Sequence, residues 1–533
     1  MENLIESKSK IFSRNAIICL GIIGLVGFLI RFFYFPEGIP ITLDGALYFW
    51  YANDLSISGA FPDRYSPGLG LNVNNGWPTF LSVFFYFFNS ENFLDYMDLQ
   101  RHITIIISVT TIIPVYILCR KFCGNALSLF GATLFVFQPR IIENSLLGIT
   151  EPLFILLELT CLVLFLQNDL KFKYMSFAFL ALACLIRYEG IVLIVPLSVF
   201  FLLKDRTYKK NIPRYFIAIS IFILVLLPML FVRMETLGTD GVFSHSIAAA
   251  QTYSSGSTLI HVNEAISTFL KSTALAVFPI FFVFLPLGIF GFFRNRSFDK
   301  YVVLFFLIFM SLTIIYASMR EISDVRYYLT LFPILSLFSV YTVNEISKKF
   351  VKTKFIPIVF ITAILLSSLV YLDYTKIDYE HERDAYHIGL EVSKMTSGIN
   401  DYYPEAKYVH NKVDIISNLK AFPILSSEIE NEIKLIRTND RAACAKVDAI
   451  ETGCRQFDYN SLNEFIDAGK NQGLTHIVVD GNENRPQFLK DVFKNEEKFT
   501  YLTKIYDSSK NGYEYHLKIF KINYEKFESI KFN

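Results

Sequence analysis

The side chains best suited to chemistry in this chain are Asp44, Arg101, Glu151, Arg187, Glu189, Arg320, Arg326 and Tyr327, each at the margin of an apolar run. A carboxylate can take a proton from an incoming hydroxyl, and arginine offers planar, bidentate donors to a phosphate. Asp44 lies in TLDGALYFWYANDLSISG, residues 42–59. In a helix starting near Thr42, positions 44, 48, 51 and 55 share a face, so Asp44, Tyr48, Tyr51 and Leu55 form one stripe. Flanked by aromatic rings at a membrane surface, that carboxylate is expected to be partly desolvated, which makes it a better base. Each residue also has a plainer reading. Asp44 suits a helix start as a cap, and so does Glu151 ahead of Pro152. In IRYEG, Arg187 and Glu189 either neutralise each other or hold a phosphate and a sugar hydroxyl. In MREISDVRYYLTLFP, Arg320 and Arg326 with Tyr327 and Tyr328 suit an anionic headgroup, which an ordinary phospholipid also supplies.

The elements that position these residues are membrane helices. Apolar residues make up 53% of the 533 positions and charged ones only 19%, low for a soluble chain. The formal net charge of +1 gives no nucleic-acid footprint. Lys8, Lys10 and Arg14 precede the first apolar run, Ala16 to Tyr34, which is long enough to span and is followed by no small-residue cleavage site. This predicts an uncleaved first helix with a cytoplasmic N-terminus. Ten further spans are expected near 102–119, 124–138, 151–167, 174–187, 189–203, 214–232, 273–293, 301–318, 326–345 and 355–372. The run from Trp77 to Phe88 is too short to cross and is read as a re-entrant or surface-lying helix in a first external loop of about 36–100. With that choice, Arg120 and Lys121, Lys171 and Lys173, the Lys204 to Arg214 loop, Arg294 to Lys300 and Lys348 to Lys354 all fall on the cytoplasmic side. Asp44, Arg101, the Pro139 to Glu151 turn, Arg187 to Glu189, the 234–271 loop and Arg320 to Tyr328 then share the external face. Ionisable residues at such positions point to a functional site.

Residues 373–533 are polar and read as a soluble extracytoplasmic α/β domain, distinct from the transmembrane domain 1–372. An amphipathic helix from about Glu380 to Ile399 leads into it. Leu474 to Val479 reads as a buried strand, helical patterns near Ser461 to Gln472 and Pro486 to Lys494 flank it, and Tyr513 to Ile522 alternates like an edge or hairpin strand. Five cysteines sit in or beside apolar runs as small core residues. Cys444 and Cys454, in the polar part, either pair as a disulfide or stay free. No spacing of His or Cys suggests a metal site.

Taken in order, the first-loop acid Asp44, the YFWYANDL helix, Gly76 to Pro78, Arg101, the Pro139 to Glu151 turn, IRYEG and RYYLTLFP resemble the GT-C superfamily of integral-membrane glycosyltransferases. The closer resemblance is to its dolichyl-phosphate-mannose protein mannosyltransferase and aminoarabinose transferase branch, and it covers roughly residues 16–372. It implies a polytopic α-helical fold of about 11 spans with a C-terminal extracytoplasmic α/β domain. It also implies a sugar donor carried on a polyprenyl phosphate, an acceptor hydroxyl on a glycan, lipid or protein presented from outside, and Asp44 as catalytic base. The family's mannosyltransferases commonly place Asp-Glu where this chain has Asp44-Gly45, which weakens protein as the acceptor. The WWD motif of the oligosaccharyltransferases is absent, since the only tryptophans are Trp50 and Trp77.

On this reading one displacement inverts the anomeric centre, with Asp44 as base, Arg320 or Arg326 receiving the phosphate, and Glu151, Arg187, Glu189, Tyr327 and Arg101 binding donor or acceptor. The phosphate leaves ionised, so an arginine clamp suffices. No cofactor is called for, although a divalent cation is compatible with these acids. Two other classes compete. A transporter or flippase of a lipid-linked or anionic substrate calls for internal repeats and charges at mid-membrane, and the chain shows neither. A membrane-anchored binding protein leaves the membrane acids unexplained.

Overall fold

The computed structural model describes residues 13–41, 43–59, 75–90, 92–203, 208–237, 258–277, 280–319, 324–349, 356–376, 461–470, 476–480 and 487–531, with 240, 243, 379–380, 383–384, 387–388 and 391. Cys444, Cys454 and Arg320 lie outside them. The chain forms two compact units: Met1–Phe35 with Asn72–Leu81 and Leu99–Lys376, and Pro36–Leu71 with Ser82–Asp98 and Ile377–Asn533.

The first unit is helical. Helices α1 (Arg14–Phe33), α4 (Phe93–Thr110), α5 (Ile112–Phe122), α6 (Asn125–Val136), α7 (Pro139–Ser145), α8 (Glu151–Phe165), α9 (Leu170–Ile186), α10 (Ile194–Leu203) and α11 (Tyr208–Leu237) are followed by α12 (Thr258–Val277), α13 (Ile280–Phe293), α14 (Phe298–Met319), α15 (Phe332–Lys349) and α16 (Ile356–Tyr374). Two 3-10 turns, Tyr188–Leu193 and Val325–Leu331, precede α10 and α15. Among the described residues, each of the eleven expected apolar runs is helical, but several are broken. Among the described residues, five helices are long and apolar enough to cross a membrane, or six if the bent pair of α6 and α7 counts as one. The span expected at 273–293 is divided between α12 and α13, and α12 occupies part of the expected 234–271 loop. Helix α3 (Gly76–Phe87) has 12 residues, or about 18 Å of rise, short of the roughly 30 Å hydrocarbon core.

Small residues let these helices approach, as expected where lipid removes the hydrophobic drive for association. A Cβ at Gly27 would lie 2.7 Å from Val136, one at Gly131 would lie 2.6 Å from the Cys119 sulfur, and one at Gly76 would lie 2.5 Å from the Leu185 carbonyl. Gly24 also faces a neighbour, Ile112, whereas Gly21 faces open space. Cys119, Cys161 and Cys184 are buried core residues, and Cys19 and Cys123 are partly exposed.

Among the described residues, three of the positive clusters, those of Lys121, Lys173 and Lys300, gather at one end of this unit. The Lys121 ammonium lies 3.1 Å from Asp299 and donates to the Leu166 carbonyl at 2.8 Å. Lys300 donates to the Phe292 carbonyl and lies 5.2 Å from the Tyr341 ring centre. Lys173 sits 5.9 Å over the Phe201 ring. The turns near 121, 166, 200, 295 and 341 thus share one end, as the charge pattern requires.

In the second unit, α2 (Leu43–Ser58) is followed later in the chain by α17 (Leu462–Lys470), β1 (His476–Asp480), α18 (Gln487–Lys494), β2 (Leu502–Asp507), β3 (Leu517–Ile522) and α19 (Tyr524–Lys531). The strands form an antiparallel sheet in the order β1-β3-β2. Its core is Leu462, Phe465, Ile477, Val479, Leu489, Phe520 and neighbours. β3 pairs antiparallel with β2, the strand before it, as the hairpin reading expects, and it is the central strand and not an edge, because alternation reports which faces are wet and says nothing of neighbours in the sheet. Glu391, in the segment expected as an amphipathic lead-in, accepts from Tyr506 at 2.7 Å, Asn511 at 2.9 Å and Tyr513 at 2.9 Å.

Candidate functional site

The best-ordered polar group of the first unit is built on two helix breaks. Helix α9 ends at Arg187, whose extended backbone (φ −144°, ψ 121°) turns the chain into the 3-10 segment that carries Glu189. Gly190 fits closely there, since a Cβ would lie 3.2 Å from the Phe154 ring. Glu151 opens α8, with Pro152 in the first turn where a missing N–H costs nothing. Arg187 Nη1 donates to Glu151 Oε1 at 2.7 Å and Nη2 to Glu189 Oε1 at 2.9 Å. Nη1 also lies 3.3 Å from the Thr150 hydroxyl, and the guanidinium stands 5.1 Å from the Tyr327 ring centre. The three charged side chains are 9%, 5% and 14% exposed for Arg187, Glu151 and Glu189. One arginine thus joins two carboxylates in a largely dry setting. It holds both acids in place. Glu189 Oε2 is buried and has no hydrogen-bond partner among the described residues.

Helix α8 carries a second acid that sequence reading missed. Glu158, two turns beyond Glu151, is 1% exposed, and its Oε2 has no hydrogen-bond partner among the described residues. The only signal for it is a carboxylate inside an apolar run.

The loop leading to Glu151 is held from several sides. Trp77 Nε1 and Gln100 Nε2 both donate to the Gly148 carbonyl, at 3.3 and 2.6 Å. Arg101 Nε donates to the Leu146 carbonyl at 3.1 Å, and Thr104 donates to the Ser145 carbonyl at 2.8 Å. Arg31, fully buried in α1, donates to the Ser145 hydroxyl at 3.0 Å and to Ser108 at 3.2 Å. Gly148 has φ +70°, a conformation that favours glycine. Arg101 therefore grips backbone. Arg31 and Gln100 were not foreseen, because neither belongs to a motif.

Of the other expected residues, Arg326 adjoins Tyr327 in the chain and Asp44 belongs to the other unit. Arg326 is one-third exposed and salt-bridged through Nε to Asp324 at 2.5 Å, while Asp324 also caps the 3-10 turn. Asp44 lies in the first turn of α2 and is exposed, so the expected desolvation is not found: its aromatic neighbours Tyr48 and Tyr51 are buried, and the acid at the helix start is not. Asp54, further along α2, is the buried acid of that helix at 5% exposure, and burial pushes its carboxyl up to about 7. Among the described residues no three His, Cys, Asp or Glu side chains are grouped so as to hold a metal ion.

Comparison with known proteins bears on the fold. Residues 91–231 match the family model of dolichyl-phosphate-mannose-protein mannosyltransferases. No curated protein matches the chain by sequence. Among solved structures, it is similar to the Archaeoglobus fulgidus oligosaccharyltransferase AglB in complex with an inhibitory peptide and a dolichol-phosphate (TM-score 0.58, 12% identity, 88% of this chain and 69% of that one). An Archaeoglobus fulgidus oligosaccharyltransferase tethered to an acceptor peptide containing the NVT sequon gives a TM-score of 0.56 at 13% identity, over 87% of this chain and 69% of that one. ArnT from Cupriavidus metallidurans bound to undecaprenyl phosphate is similar over nearly the full length of both chains (TM-score 0.50, 11% identity, 96% of this chain and 98% of that one).

Proposed function

From the premise that this chain is a multi-pass membrane protein of the GT-C superfamily, we propose that it transfers a sugar from a polyprenyl-phosphate donor to a hydroxyl acceptor on the external face of the membrane. The observation that carries this reading is the buried Glu151–Arg187–Glu189 group, set in two helix breaks under Tyr327. Carboxylates fixed by a shared arginine offer oriented acceptors to sugar hydroxyls, and Tyr327 adds an aromatic face. The lipid phosphates named with AglB and ArnT support a carrier of that class here.

The acceptor hydroxyl attacks the anomeric carbon while the bond from that carbon to the phosphate oxygen breaks. The hydroxyl proton passes to Asp44, and the carrier leaves as its phosphate monoester. A single displacement inverts the centre. Arg326 and Arg320 receive the phosphate charge, a role suited to arginine's fork. Glu151 and Glu189 orient hydroxyls, with Arg187 as their common anchor, and Arg101 steadies the loop before Glu151. Asp44 is assigned from its order in the chain, and it lies exposed in the first turn of α2. The acceptor is a glycan, a lipid or a protein, and the C-terminal domain lies outside, with the N-terminus in the cytoplasm.

The test uses the full chain in liposomes with a labelled polyprenyl-phosphate sugar and an acceptor extract. Wild type should transfer label, and a folded Asp44→Asn variant should lose at least a hundredfold in rate. Equal transfer by both removes Asp44 as base. Movement of the donor across the bilayer without transfer replaces the enzyme with a flippase. Asp44→Cys and Lys209→Cys should label from opposite sides of the membrane, and labelling from one side overturns the topology.

A further inference from the structure

We propose that Tyr188, Tyr316 and Glu189 are specificity residues of the donor site, admitting an uncharged sugar and refusing one that carries a carboxylate. The proposal rests on the transfer reading above and narrows its donor class. Tyr188 and Glu189 stand side by side in the 3-10 turn before α10. Helix α14, which carries Tyr316 in its last turn, packs against that 3-10 turn and against the one that carries Tyr327. The Tyr188 phenol accordingly has Glu189, Tyr316, Tyr327 and Arg187 as electrostatic neighbours. Three aromatic rings thus gather about one carboxylate. Exposure grades across the group: Glu151 and Arg187 are buried, whereas Glu189, Tyr188, Tyr316 and Tyr327 each keep part of their surface open. The first two form a floor, and the acid with its three rings forms a rim that solvent reaches.

The charges around that rim decide what enters. Both terminal nitrogens of Arg187 are committed to carboxylates, Glu151 and Glu189, and Arg326, next to Tyr327 in the chain, is committed to Asp324. Among the described residues, two guanidinium groups and three carboxylates therefore stand about Tyr327, an excess of one negative charge. Glu158, the buried acid within electrostatic reach of Arg187, can only add to that excess. A carboxylate on the sugar would meet this field away from bulk water, where like charges repel most strongly. To gain a cation it would have to break an existing ion pair. An uncharged sugar meets neither obstacle. Its hydroxyls donate to Glu189 and Glu151, which accept only, and its apolar ring face packs on the phenol rings. The donor's own phosphate stands outside this comparison, since every donor carries it and the transfer reading gives it to Arg326 and Arg320.

Matched donors test it by binding. Full-length protein in nanodiscs is titrated with the farnesyl-phosphate esters of glucose and glucuronate, galactose and galacturonate, and mannose and mannuronate, each pair differing only at the sixth carbon. Farnesyl phosphate alone sets the carrier's share of the affinity. At least one neutral sugar should bind wild type more tightly than the carrier alone, and its uronate partner should bind at least tenfold more weakly than that sugar. Glu189→Gln, which removes the excess charge, should narrow the gap at least fivefold. Tyr188→Leu and Tyr316→Leu should each weaken the neutral sugar several-fold, while the phenylalanine variants, which keep the ring, stay within twofold. A uronate that binds wild type as tightly as its neutral partner overturns the proposal, leaves the transfer reading standing, and requires no variant to fold. An unchanged gap in folded Glu189→Gln overturns it too, as does full neutral binding in both leucine variants. If no sugar adds to the affinity of the carrier alone, the transfer reading falls and the proposal with it. Selective binding without transfer to an acceptor extract keeps the proposal and removes the transfer reading.

Discussion

Arg187 reaches Glu151 across 36 positions of sequence, Nη1 to Oε1 at 2.7 Å, and so ties the turn after α9 to the first turn of α8. The same guanidinium holds Glu189 at 2.9 Å. Breaking a buried pair from one side leaves charge uncompensated, which costs about 3–5 kcal/mol. Arg187→Met should therefore lower the thermal midpoint sharply, and Arg187→Lys should fall between, because a point charge cannot fork to two carboxylates. An Arg187→Met/Glu151→Met/Glu189→Met triple variant should recover most of the loss. A triple no more stable than Arg187→Met would mean that packing, not charge, sets the cost.

Close helix approach makes a second, graded prediction. Gly76→Ala places a methyl 2.5 Å from the Leu185 backbone carbonyl, and Gly288→Ala meets the Phe338 carbonyl more closely still. Backbone cannot yield, so both should lose folded yield in detergent. Gly131→Ala meets a side chain, the Cys119 sulfur, and should cost less, while Gly21→Ala faces open space and should be neutral. Fluorescence-detected size exclusion of the four variants gives the ranking, and an inverted order would discredit the packing described.

Charge parity made the two ends of the helical unit legible from sequence. Lys121, Lys173 and Lys300 obey it because each long side chain finds carbonyls or rings at a helix end. The Glu151, Arg187, Glu189 and Tyr327 group was legible for the same reason: charges at several helix ends, once on one side, have each other as partners. Glu158 and Arg31 were not legible, since a single ionisable residue inside an apolar run leaves no periodic trace. Asp44 and Asp54 lie on one helix, and local sequence pointed to burial of the wrong one. A helix start is solvated by default, whereas α2 becomes enclosed only through tertiary packing around residues 51–54.

The loop before Glu151 should behave as a positioning device. Trp77→Phe keeps the ring and removes one donor to the Gly148 carbonyl, and Gln100→Leu removes the shorter one. Each deletion removes about 1 kcal/mol of net hydrogen bonding, and the pair leaves a buried carbonyl unpaired. Each single variant should lower kcat of sugar transfer several-fold with KM for the lipid donor little changed, and the double variant should lose more than the product of the two. A shift in KM alone would make these residues part of donor binding.

Asp54 gives the chain a pH dependence whose sign follows from burial. Its carboxyl titrates near 3.8 when unfolded and is pushed up to about 7 in the fold. Between those values the folded state binds more protons than the unfolded state, so stability falls as pH rises through that window. At about 1.4 kcal/mol per unit the loss amounts to a few kcal/mol at most, full stability being present below about pH 4 as far as this group is concerned. Asp54→Asn cannot ionise and should remove that slope, leaving a thermal midpoint at pH 8 above that of wild type. Thermal scans of both proteins from pH 5 to pH 8 decide it: parallel curves would mean that the Asp54 carboxyl is solvated, and with that the enclosure of α2 around Asn53 would fail as well.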